Sequence, residues 1–175
     1  MKPRILGVLS AIALVAVAGA AKADQKTASV NAKRLGALKQ LAGDWVEVGK
    51  DGKPTAKVIS SFRVWARGTA VQETLFPGSD HEMVTMYHLD GDDLVLTHYC
   101  SLGNQPRLRA DRGKDVNKIV FKFVSCTNLK SKDDHHINGA TLTLSGKDRF
   151  KAKWVSCKGG KPCHQVKLEL VRKPK

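Results

Sequence analysis

Six chemically capable side chains lie between His98 and Arg107: His98, Tyr99, Cys100, Asn104, Gln105 and Arg107. The imidazole could serve as a base or a metal ligand. The thiol could serve as a nucleophile. The guanidinium is a planar fork suited to a carboxylate or a phosphate. Spacing restricts these options. Residues two apart on a strand point the same way, so His98 and Cys100 do not meet in hydrogen-bond geometry. A base for Cys100 would have to come from elsewhere, with His136 as the candidate. Nucleophilic catalysis is therefore not favoured, and no catalytic residue is assigned.

Binding suits the same residues better. His98 is expected to line a cavity, with Asn104, Gln105 and Arg107 at its mouth. The competing reading of these three is a structural loop: Gly103-Asn104 is a turn pair, and Pro106 stiffens the strand that follows. Glu73 sits in the apolar run Ala70-Val71-Gln72-Glu73-Thr74-Leu75. Facing inward it would need a partner, and Arg107 or His98 could supply one; facing outward it would belong to a barrel wall. Tyr87 shares the candidate core face with Met83, Thr85, Leu89, Leu94, Leu96, His98 and Cys100, while Tyr99 points the other way. His136 completes the candidate set.

No resident cofactor is expected. His98 with Cys100, the pair His135-His136 and the pair Cys163-His164 suggest a mixed zinc site, but no C-x-x-C or H-E-x-x-H spacing occurs. Haem held by His98 or His136 is a second alternative, with no residue pattern that singles out a porphyrin.

The elements that position these residues follow from periodicity. Leu35, Leu38 and Leu41 recur at helical spacing, with Lys33, Arg34, Lys39 and Gln40 between them. After Gly43 the period changes to two. Strand-like runs begin at Trp45, Lys57, Thr69, Glu82, Leu94, Gln105, Lys118, Ile137, Phe150 and Gln165, with turn signals roughly every 8–15 residues. No second helix supplies the crossovers that parallel pairing needs. The expected fold is all-β: an antiparallel barrel of about 8–10 strands with a short N-terminal helix, which removes exposed edges. A two-sheet sandwich is the competing solution. Phe121, Phe123, Leu142, Leu144 and Trp154 are the expected apolar wall.

The N-terminus reads as a targeting segment. Lys2 and Arg4 precede the apolar run Ile5–Ala18, and Ala21-Lys22-Ala23 is an A-x-A cleavage pattern. A membrane anchor needs about 20 apolar residues. The expected organisation is a signal peptide over 1–23, a flexible lead over 24–31 and one barrel domain over 32–175, in a periplasmic or secreted protein with no transmembrane span after cleavage. Cys100, Cys126, Cys157 and Cys163 are an even set in an exported chain, so disulfides are expected, with three connectivities open. Cys157 and Cys163 flank Lys158-Gly159-Gly160-Lys161-Pro162 and could face each other, which would leave Cys100 with Cys126. The net charge is +14. Losing Lys2, Arg4 and Lys22 would bring it to +11. That favours acidic partners, but no recognition helix or aromatic platform for nucleic acid appears. Lys147, Arg149, Lys151 and Lys153 alternate as one solvent face.

Leu41-Ala42-Gly43-Asp44-Trp45 after a short helix resembles the G-x-W opening of lipocalin (calycin) barrels. The segment HEMVTMYHLDGDDLVLTHYCSLGNQPRLRA, with Gly68-Thr69, Glu73-Thr74, Pro77-Gly78, Phe121-Lys122-Phe123 and His136, resembles a family of bacterial exported proteins of uncharacterised activity that share such a barrel. The resemblance runs over most of 38–172 and implies the fold, not a ligand. The Cys157–Cys163 hairpin departs from it as a local addition. The function expected is that of an exported binder of a small, partly apolar molecule, for which Arg107 adds the option of an anionic group. The alternatives are a cell-envelope module that uses its basic surface to hold an anionic polymer, or a haem-binding, metal-binding or enzymatic barrel.

Overall fold

Alternation of inward apolar and outward polar residues is clearest in β3, β6, β8 and most of β9. In the computed structural model, which describes residues 30–174, it closes the chain into a barrel. The expected signal peptide and most of the expected lead lie outside the described residues. Helix α1 spans 30–39, so Val30 and Asn31 belong to the helix rather than the lead. The strands follow as β1 (Gly43–Val48), β2 (Pro54–Trp65), β3 (Ala70–Leu75), β4 (Met83–Asp90), β5 (Asp93–Tyr99), β6 (Gln105–Ala110), β7 (Lys118–Thr127), β8 (His136–Ser145), β9 (Arg149–Lys158) and β10 (Lys161–Arg172). Each pairs antiparallel with its chain neighbours, and β10 pairs with β1 to close the ring. Among the described residues no helix is long and apolar enough to cross a membrane.

Two-residue turns set the hairpin registers. Asp90 faces Asp93 across Gly91-Asp92. Gly91 has φ +56°, as a tight turn with glycine in first position requires. Tyr87 then faces Leu96 and Thr85 faces His98. The β9–β10 hairpin turns through Gly159 and Gly160, at φ +59° and +71°. It sets Cys157 opposite Pro162, and an irregularity follows before His164. The expected Cys157–Cys163 bridge is therefore not formed. Residues six apart are not opposite each other across a two-residue turn, and Cys157 is buried while Cys163 is exposed. Cys100, just past the end of β5, and Cys126 on β7 are also free thiols.

The two ends of the barrel differ. One is plugged by α1, whose Leu35 and Leu38, with Leu41 just beyond, pack against the core around Trp45. Arg34, expected among the polar outward residues, is buried instead. It donates to the Asp111 backbone oxygen at 2.7 Å, the Asp115 backbone oxygen at 3.0 Å and the Asp111 carboxylate at 3.2 Å. Asn31 donates to the Asp92 carbonyl at 2.9 Å. The start of α1 is thus tied to two loops of the same end.

The closing seam is held by Arg172. Its guanidinium lies 4.5 Å from the Trp45 ring centroid. It donates at 2.8 Å to the carbonyls of Gln40, Ala42 and Lys147. The Trp45 indole donates to the Leu41 carbonyl at 2.7 Å. Gly43 allows this approach: its φ is +122°, and a Cβ there would sit 3.1 Å from an Arg172 nitrogen. Inside the ring, Phe150 makes edge contacts with Trp45 at 4.8 Å and Phe62 at 5.5 Å. One expected wall residue is missing from the packed interior: Phe123 is 37% exposed, just past Lys122, where the pairing of β7 with β8 ends. Arg172→Ala should lower unfolding stability by about 2–4 kcal/mol, and Arg172→Lys should recover less than half of that, because a point charge cannot replace the fork. Urea denaturation of both variants measures it.

Candidate functional site

The end opposite α1 is open. Its floor is a small apolar recess of about 60 Å³. Leu75 and Phe76 at the end of β3 and Met83 at the start of β4 form one side. Ile137, Trp154, Val166 and Leu168 form the other, and His98 joins them from β5. Phe76 has φ +53°, a conformation a bulky side chain rarely adopts. It turns the chain out of β3 while its side chain packs against the core. Its backbone N–H bonds the Ile59 carbonyl at 2.8 Å.

His98 faces inward, as the strand parity indicated, and is 1% exposed. Its Nδ1 lies 2.9 Å from the Thr85 hydroxyl, and its ring centroid lies 5.0 Å from that of Trp154. Burial lowers its pKa to about 4, so the imidazole is neutral near pH 7. The Trp154 indole nitrogen is buried without a partner.

Glu73 also faces inward and is fully buried. Its partners are not Arg107 or His98. The Tyr87 hydroxyl donates to one carboxyl oxygen at 2.6 Å, and the Ser60 hydroxyl donates to the other at 2.8 Å. Burial raises the Glu73 pKa, and the two hydroxyl bonds act in the opposite direction. Burial and the neighbouring carboxylate raise the Tyr87 pKa well above its ordinary value. Tyr87 is therefore a core residue bound to Glu73, outside the recess. Registers place Phe62, Glu73, Thr85 and His98 in one row across β2–β5, so a polar band runs through the barrel beneath its open end.

Arg107 and Gln105 do not reach the recess. Pro106, Leu108 and Ala110 of β6 are the buried ones, which turns Gln105, Arg107 and Arg109 outward. Arg107 pairs with Asp90 at 2.7 Å on the outer surface. Gln105 accepts from the Thr127 hydroxyl at 2.7 Å and donates to the Gly103 carbonyl. Asn104 is buried and donates to the His135 carbonyl at 2.9 Å, while its oxygen has no partner. His136 is buried, with its ring centroid 4.9 Å from that of Phe123 and its Nδ1 2.7 Å from the Asp134 carbonyl.

A second polar cluster at this end was not assembled from sequence. His135 Nε2 lies 2.8 Å from the Ser156 hydroxyl, which lies 3.4 Å from Cys163 Sγ. The imidazole–hydroxyl contact has the reach of a base and its nucleophile. Ser156 is buried, however, and also lies 3.4 Å from the His164 carbonyl, so the cluster ties β9 and β10 to the residue before β8. Only the two flanking pairs, His135-His136 and Cys163-His164, signalled it. Among the described residues no group of three or more His, Cys, Asp or Glu side chains converges as a metal site. The recess beside His98 is far too small for a porphyrin.

No family model matches the chain. The search of curated proteins also returns no match. What stands is a closed antiparallel ten-stranded barrel, compatible with a lipocalin-like one.

Two pH dependences follow. The unfolded chain takes up the His98 proton near the ordinary value of 6.5, the folded chain near 4. Between these values the unfolded state holds more protons, so stability falls as pH falls from 6.5 to 4, by about 3 kcal/mol in all. Urea midpoints against pH should show this slope in the wild type and lack it in His98→Gln. Glu73 works the other way. Its folded pKa is raised, so its contribution is present below the ordinary value of 4.5 and is lost as pH rises through the folded value. Glu73→Gln should gain stability relative to wild type as pH rises. Glu73→Leu should lose about 1–3 kcal/mol per orphaned hydroxyl at all pH values.

Proposed function

We propose that this is an exported, lipocalin-like barrel that binds a small, partly apolar molecule at its open end. The observation that carries the reading is the apolar recess between His98 and Trp154. Apolar surface left concave and open at the barrel mouth, above an interior packed with aromatic rings, is the kind of feature that takes up an apolar group. Its size limits the guest. Typical ligand pockets hold about 300–1,000 Å³, so about 60 Å³ admits only the end of a chain or the edge of a small ring. The rest of the ligand would lie across the loops that carry Phe76, Asn104, His135 and Gly159. Neutral His98 suits such a guest, because a protonated imidazole would oppose apolar burial. Lys130 and Lys132 on the β7–β8 loop, and Lys158 and Lys161 beside the β9–β10 turn, are exposed at the same end and supply cations for an anionic head group.

Trp154 in the wall gives a direct readout. Titration with short straight-chain carboxylates and the matching alcohols should produce a saturable change in tryptophan fluorescence. Val166→Phe, which fills the recess, should abolish it without lowering the unfolding midpoint. Tighter binding of carboxylates than of alcohols would show that the ligand is anionic. Absence of a saturable change with either series, together with native mass spectrometry showing only bare protein from its own host, would overturn the proposal.

A further inference from the structure

The outer wall formed by β7–β10 is strongly basic, and among the described residues little of its charge is paired. Lys118, Lys122, Arg149, Lys151, Lys153 and Lys167 are all exposed there. Glu169 is the one acid among the outward positions of these strands, and it pairs with Lys151 at 2.8 Å. The adjoining strand β6 differs: Arg107 and Arg109 each hold an acid, Asp90 and Asp93, at 2.7 and 3.3 Å.

Register turns the unpaired charges into a grid. One row reads Lys118, Thr143, Lys151, Glu169 across the four strands; the next reads Val120, Thr141, Lys153, Lys167. Neighbouring strands lie about 4.8 Å apart, and successive outward positions along a strand about 6.8 Å. Lys153 and Lys167 are direct cross-strand partners, and like charges so placed destabilise a sheet. Solubility alone does not require that juxtaposition. A shallow groove of about 200 Å³ lies along Thr141, Thr143, Lys153 and Lys167. It meets a second groove of about 340 Å³ at Lys151 and Glu169, which continues past Arg149 to Val48.

We propose that this wall binds a linear acidic polysaccharide along the joined grooves. Lysines and the arginine would pair with its carboxylates or sulfates, and Thr141, Thr143 and Gln165 would meet its hydroxyls. None of these side chains is an aromatic ring for base stacking or an apolar wedge for a bilayer; the mixture of cations and hydroxyl groups matches a charged sugar chain.

The probes are polygalacturonate for carboxylates and heparin for sulfates, with binding measured by calorimetry at low and high salt. At least one should bind saturably and weaken as salt rises. Lys153→Glu/Lys167→Glu should weaken binding at least about tenfold. Lys33→Glu/Lys114→Glu, which makes the same change in net charge at the end closed by α1, should leave it within about twofold. Lys153→Gln/Lys167→Gln guards against misfolding: it should raise the unfolding midpoint by removing the like-charge pair, and still weaken binding. Equal losses from the wall and end reversals would overturn the proposal in favour of net charge alone. Binding to single-stranded DNA or anionic vesicles with none to either polysaccharide would overturn it in favour of another partner class.

Discussion

Closure of the β1–β10 seam is the constraint on which the molecule depends. A meander leaves two strands with unpaired backbone groups, and only their mutual pairing removes both edges. Arg172 secures that pairing. One guanidinium satisfies carbonyls at the end of α1 and in the β8–β9 hairpin while covering the Trp45 face. The helix plug, the first strand and the last strand are thereby fixed to one another. The open end and its recess exist because the other end is closed in this way.

Polarity inside the ring is arranged in a single band. Ser60, Glu73, Tyr87, Thr85 and His98 are all buried. Its three ionisable groups, Glu73, Tyr87 and His98, are all pushed toward their neutral forms by burial. Below the band the interior is filled by Trp45, Phe121 and Phe150. Above it lies the recess. The band thus marks the depth at which the packed core ends and the accessible mouth begins, and both compositions follow from strand parity.

Much of this was legible in the sequence. Alternation gave all ten strands to within a few residues, because inward and outward side chains differ sharply in many of the runs. It also turned His98 inward and Tyr99 outward. Arg107 was misplaced for a reason the same rule contains. Leu108 and Ala110 are the apolar positions of β6, so parity sends Arg107 out to Asp90; attention to the chemistry of a guanidinium hid its place in the pattern. Other features left no local signal. The bulges at Arg107/Leu108, Ile137/Gly139 and Pro162/His164 shift register by one residue without a distinctive sequence. The partners of Glu73 come from β2 and β4, and the burial of Arg34 depends on a loop about eighty residues away. Long-range partners of this kind arise from closure, which no window of sequence displays.

The seam also sets the order in which the barrel can form. Every other strand pair joins chain neighbours, but β1 meets β10 across nearly the whole domain, with Trp45 opposite Arg172. The strand that completes the ring is the last of the ten in chain order. Until it pairs, the first strand has one edge bare and the end of α1 lacks its contacts with Arg172. Closing a ring between strands so far apart in sequence is costly in chain entropy, so the barrel cannot close before β10 is available to pair. A barrel lacking β10 would keep two edges open, and its characteristic fate would be edge-to-edge association with other chains.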